Sequence, residues 1–323
     1  MPESKSRRCF FVDSAKAAAA AALGLSLEER VLAQDAPVAG VAPPADPRPL
    51  LPTGRVGKLE ITRLVLGGNL IGGYAHSREL VYVSTLLKRY FTDEKIFETL
   101  RLAERFGINT LNTNPQAARV VMDYRDKHGG KLQWIVQDYS AEYERYDSIR
   151  ASADRGAHAI YIQGNVADRL VQKGKVSLIE KAIAEIKKQG LPAGVAGHSL
   201  AVPVECEKAG VGADFYVKTI HTLDYFSARR PEQGEDVVSN KDDNFWCVDP
   251  DAVAAAMAKI DKPWFAYKVM AAGAIPPRKA FRYAFDAGAD FIVAGIFDFQ
   301  MEADCEIARE AVAEAKRVRP WRA

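Results

Sequence analysis

The stretch Ser177–Gly197, SLIEKAIAEIKKQGLPAGVAG, holds one complete unit of the chain's architecture. Ile179, Ile183 and Ile186 recur at spacings of four and three, so they share one helix face, while Glu180, Lys181, Glu185 and Lys187 occupy the other. Gly190 stands where that helix must stop and hand over to a strand, since glycine takes the left-handed conformation of a helix end at no steric cost. Ala193–Gly197 then reads as a short apolar strand. A helix, a glycine and an apolar strand in this order belong to a parallel sheet with helices packed outside it.

Working outward, the same unit recurs until eight strands are counted: Arg63–Gly67, Asn109–Thr113, Gln133–Gln137, Ala159–Gln163, Ala193–Gly197, Phe215–Ile220, Trp264–Lys268 and Phe291–Gly295. Helical stretches fill the gaps. Thr92-Asp93 can cap one whose Ile96, Leu100 and Ala103 share a face, and Asp249-Pro250 opens another in the preferred order of cap and then proline. Eight units favour closure into a (β/α)8 TIM barrel over an open doubly wound sheet. No G-x-G-x-x-G follows the first strand, and Gly67–Gly73 opens a long loop instead of a helix. The predicted organisation is a single α/β barrel domain over residues 55–319, with a long loop over 222–248.

The length of 323 residues suits one such barrel, which typically takes about 250, plus an extension. A formal charge of +2, from 44 basic and 42 acidic residues spread along the chain, leaves no basic stripe for a phosphate backbone, so nucleic acid is excluded as a partner. No apolar run is long enough for an integral membrane segment. Cys9, Cys206, Cys247 and Cys305 are far apart and read as ordinary thiols. At the N-terminus, Arg7-Arg8 precede Phe10-Phe11 and the small apolar run Ala17–Leu25. This resembles a twin-arginine signal peptide over residues 1–33, implying the twin-arginine translocase as a partner and a periplasmic or otherwise exported location. Without export, the protein is cytoplasmic. Residues 34–54, rich in proline and alanine, read as a linker.

Polar residues at the C-terminal ends of barrel strands face one mouth, where such folds keep their active sites. Those ends offer Asn69, Asn112, Gln137, Gln163, His198, Lys218, His221 and Lys268, with His76 in the first loop. Lys218 and Lys268 close apolar strands, and two ammonium groups on neighbouring strands would lower each other's pKa, the usual route to a nucleophilic lysine. Either lysine could instead lean outward or pair with a carboxylate such as Asp138. His198 and His221 are candidates for acid/base work and also for a two-histidine metal site. In the 222–248 loop, Arg229 and Trp246 are expected to meet substrate from a lid.

Leu59–Asn69, Gly107–Thr113, Ala159–Gln163 and Gly194–Ser199 resemble the framework of the aldo/keto reductases, most closely an exported bacterial group of such barrels. That family works through an Asp, Tyr, Lys, His tetrad. The resemblance places Asn112 where the aspartate belongs, Gln137 near the lysine place and Gln163 at the histidine place, with no matching tyrosine, so the reductase tetrad is missing. A second, local similarity links Gly212–Thr219, Lys268–Ile275 and Ala287–Asp290 to the late strands of deoxyribose-phosphate aldolases, which implies a Schiff-base lysine.

The leading expectation is a non-redox lyase or isomerase acting on a carbohydrate-like carbonyl or polyol compound. In it Lys218 and Lys268 act with His198 or His221, and Asn69, His76, Asn112, Gln137, Gln163, Arg229 and Trp246 bind substrate. The alternatives are an NADPH-dependent reductase with a rearranged acid and a non-catalytic sugar-binding barrel. A divalent metal is the first cofactor candidate and NADPH the second.

Overall fold

The computed structural model describes residues 48–323 apart from 76, 78–79, 231, 233–236 and 239–244. The expected signal peptide, the first part of the linker and His76 lie outside the described residues. A hairpin of β1 (Thr53–Val56) and β2 (Leu59–Thr62) comes first. The chain then alternates β3 (Leu64–Gly67), α1 (Val83–Tyr90), α2 (Asp93–Arg105), β4 (Thr110–Thr113), α3 (Ala118–His128), β5 (Gln133–Asp138), α4 (Asp147–Asp154) and β6 (Ala159–Ile162). It continues with α5 (Gly164–Gln172), α6 (Val176–Lys188), β7 (Ala193–Gly197), α7 (Ala201–Lys208), β8 (Phe215–Thr219), α8 (Pro250–Ala258), β9 (Trp264–Tyr267), α9 (Pro277–Asp286), β10 (Phe291–Ala294) and α10 (Met301–Glu314). Strands β3 to β10 are parallel to their neighbours and β10 pairs with β3, so the sheet closes into an eight-stranded barrel. No helix among the described residues is long and apolar enough to cross a membrane.

Alternation along each strand divides the core in two. Val65, Ile135, Tyr161, Phe215, Val217, Phe265 and Phe291 fill the barrel's interior, while Leu64, Leu66, Trp134, Ile160, Val195, Tyr216 and Trp264 pack against the helices. The helix signals behave as read. Thr92 accepts from the Lys95 amide, Asp249 accepts from the Ala252 amide with Pro250 next, and Ile179, Ile183 and Ile186 are buried.

Two features correct the linker boundary and add to the reading. Leu51 is buried in the core and bonded through its amide to Gly107 O, and Thr53-Gly54 already belong to β1, so the domain begins inside the segment read as linker. A single leucine after a proline-rich run is too short a signal to show its own burial. Hairpin residues Val56 and Ile61 join the interior cluster, filling the end of the barrel where the strands begin. Beside them Asp290, fully buried, accepts from the amides of Trp264 (2.9 Å) and Arg322 (2.8 Å) and from the guanidinium groups of Arg317 and Arg319 (both 3.2 Å). Arg63 and Arg317 stack on the Trp321 ring at 3.9 and 3.4 Å from its centroid.

Candidate functional site

His198 follows directly on β7, at the mouth. Its ring is held by Asp168, a buried carboxylate on α5 whose Oδ2 lies 2.7 Å from Nδ1. Asp168 also accepts from the amides of His198 (3.0 Å) and Ser199 (3.0 Å), so the carboxylate fixes both the ring and the chain that carries it. Because a carboxylate there accepts, Nδ1 bears the proton and Nε2 keeps its lone pair. Burial pushes the His198 pKa down to about 4, Asp168 opposes this, and the ammonium groups of Lys268 and Lys218 lower it further. The imidazole is therefore neutral through the physiological range.

Tyr267, the last residue of β9, packs its ring 5.4 Å from that of His198. Its hydroxyl is buried without a hydrogen-bond partner, and burial first, then Asp168, raises its pKa well above the ordinary value. Gly164 makes this approach possible. A Cβ there would stand 2.5 Å from the Tyr267 hydroxyl and 3.1 Å from His198 Nδ1, so any side chain at this position would drive the two groups apart. Deeper in the barrel, the Tyr161 hydroxyl donates to Asn112 Oδ1 at 3.1 Å.

Lys268 follows Tyr267 in the left-handed region, at φ 57°, and Ala271 (46°) and Ala272 (57°) share that conformation. Such backbone costs on the order of 1–3 kcal/mol per non-glycine residue and persists where surrounding structure enforces it, a common property of functional loops. It aims the Lys268 ammonium at the Trp246 ring, 3.8 Å from the centroid. Trp246 thus meets Lys268 from the 222–248 loop. His221 holds that loop shut. Its Nδ1 donates to Thr222 O (2.9 Å) and its Nε2 accepts from the Trp246 amide (3.1 Å), clamping the loop's two ends together. With both ring nitrogens engaged, His221 has none left for proton transfer or a metal. Among the described residues no group of three or more His, Cys, Asp or Glu side chains gathers as metal ligands.

The expectation for Lys218 needs correction. It shares the helix-facing side of β8 with Tyr216, and its ammonium donates to His198 O (2.7 Å), Thr219 O (2.9 Å) and Thr219 Oγ1 (2.7 Å). Burial lowers its pKa to about 8, and Lys268 is not among the groups that move it. The lowering expected of Lys218 is present, and its cause is burial, where the expectation named Lys268. Gln163 is also placed differently from the expectation: its Oε1 accepts from the Val166 amide and caps α5, so it positions the helix that carries Asp168. Asn112 lies inside the barrel, Gln137 is half-buried on β5, Asn69 is exposed, and Arg229 stands 5.5 Å from the Phe245 ring centroid.

Asp168 and Tyr267 were not among the expected site residues. Tyr267 carried a usable signal, sharing the interior parity of Phe265 one residue before a lysine. Asp168 gave none, lying on a helix between Ala167 and Arg169.

No sequence-family model and no curated relative matches the chain. Among solved structures, a candidate aldo-keto reductase from Pseudomonas aeruginosa is 18% identical with a TM-score of 0.55, covering 82% of this chain and 98% of its own. An arginine-to-lysine mutant of flavocytochrome b2 is 14% identical with a TM-score of 0.50, covering 84% of this chain and 70% of its own. The likeness is one of fold: the chain shares the eight-stranded barrel seen in aldo-keto reductases.

Proposed function

We propose that the protein is a barrel enzyme that moves a proton on a small carbohydrate-like hydroxy-carbonyl compound, as an isomerase or lyase without hydride transfer. The observation that carries this reading is the Asp168–His198 dyad: a neutral imidazole with its tautomer fixed by a buried carboxylate, beside an unpaired tyrosine hydroxyl and near a lysine. His198 Nε2 takes the proton α to the carbonyl. The Lys268 ammonium stabilises the oxyanion that develops as the proton leaves, and Tyr267 offers an O–H to the same oxygen. Asn112, Gln137 and Tyr161 provide donors and acceptors matched to substrate hydroxyls.

Incubation in heavy water with a panel of hydroxy-aldehydes and hydroxy-ketones is expected to replace the α-proton by deuterium, read as loss of its proton NMR signal. His198→Gln should slow exchange by about 10²–10⁴-fold, the usual contribution of a general base. No exchange by the wild type with any member of the panel would end this reading.

One observation favours a second reading, a reductase with a rearranged acid. Asp168, Tyr267, Lys268 and His198 bring together at the mouth the four residue types of the tetrad, whose early-strand places hold three amides and no tyrosine here. That reading requires NADPH to bind, and a cofactor-fluorescence titration showing no saturation at millimolar concentration removes it. Export rests on Arg7-Arg8. Changing both to lysine is expected to leave the protein in the cytosol of a host with the twin-arginine translocase, measured by cell fractionation.

A further inference from the structure

We propose that the cavity beside Lys218, on the helix side of β7 and β8 and bordered by His198, binds a small carboxylate with a branched aliphatic body, a ligand distinct from the hydroxy-carbonyl substrate proposed above. The cavity encloses about 250 Å³. At about 30 Å³ for each water-sized group, it has room for roughly eight non-hydrogen atoms, too few for a nucleotide. Its walls divide by chemistry. Leu200, Val237, Val238, Val248 and Val253 supply hydrocarbon, while Gln172, His198, Ser199 and Lys218 supply polar groups.

Lys218 selects the charge of the ligand. Its side chain is 1% exposed, its three N–H bonds all end on neutral oxygens, and no carboxylate of the described residues forms an ion pair with it. A desolvated cation without a counter-charge is expensive, and an anion in the adjoining cavity would offset that cost. Asp168, the carboxylate that acts on it from farther away, is already committed to His198. The ligand's own hydrogen bonds would come from other groups. Ser199 Oγ accepts from the Ala201 amide at 3.1 Å and so keeps its O–H to donate, and the Gln172 amide supplies N–H groups. Asp249 also borders the cavity, and its Oδ1 is engaged as the cap of α8. A polyhydroxylated compound is disfavoured here because five aliphatic side chains would leave its hydroxyls unpaired.

The probes are 3-methylbutanoate and its neutral counterpart 3-methylbutan-1-ol, titrated calorimetrically into the full chain. The acid is expected to bind saturably and at least about tenfold more tightly than the alcohol, since every tenfold corresponds to about 1.4 kcal/mol. Val253→Phe, which fills the cavity and leaves the Lys218 hydrogen bonds intact, should abolish binding, and Lys218→Met should weaken the acid to the level of the alcohol. If Lys218→Met does not fold, Val253→Phe and the comparison of acid with alcohol decide the matter. No saturable binding of the acid, equal binding of the two probes, or undiminished binding in Val253→Phe would each overturn the proposal. None of these results depends on the deuterium-exchange activity, so the two readings fail separately.

Discussion

Between pH 6.5 and 4 the protein is expected to lose on the order of 6 kcal/mol of stability from two side chains, His198 and His221. In both, burial is the main cause of a pKa lowered from 6.5 to about 4. Asp168 opposes the shift in His198 and the Thr222 carbonyl opposes it in His221, while Lys218 and Lys268 add to it in each. Over this window the unfolded chain binds protons that the folded chain refuses. The stabilisation from each neutral imidazole is therefore complete above 6.5 and is lost as pH falls toward the folded value of about 4, roughly 3 kcal/mol for each residue. A domain with 5–15 kcal/mol in total would be brought close to unfolding. Urea melts at successive pH values should show stability falling by up to about 2.5 kcal/mol per pH unit. His221→Asn should halve that slope, whatever it does to stability at neutral pH. A flat profile would mean that both rings are hydrated.

The second large effect is at the opposite end of the barrel. Asp290→Ala is expected to destabilise the fold by about 3–5 kcal/mol, the range for breaking a buried ion pair from one side. The reason is what remains: Arg317 and Arg319 keep their charge in surroundings that already lower their pKa by burial, and the amides of Trp264 and Arg322 lose their acceptor. Asp290→Asn retains an acceptor oxygen and should fall between. Denaturant midpoints measure both. A loss below about 1 kcal/mol for the alanine variant would show that water replaces the carboxylate at little cost.

The barrel was legible because its signals are local and repeated. Each strand fell within one or two residues of its expected bounds, since an apolar run between a helix stop and a helix start leaves little choice of placement. The site was only partly legible, and Lys218 shows why. A strand buried on both faces is apolar at every position, so Phe215, Tyr216 and Val217 carry no alternation that tells the interior from the helix side. His198 and Lys268 come just after their strands, where the mouth is the nearest place for a polar side chain. His221 and Gln163 have polar groups whose bonds are made to loop and helix backbone, which sequence spacing does not reveal. Asp168 joins His198 across 30 positions of chain, a contact made only when α5 packs against β7.

The hairpin has a consequence for traffic. With Val56 and Ile61 seated as a stopper in the floor of the cylinder, the described residues leave molecules the opposite doorway, past Trp246. On the proposed isomerase or lyase reading, product must leave by the route its precursor took, so departing product and arriving substrate exclude one another, and crowding by product should slow turnover in direct competition.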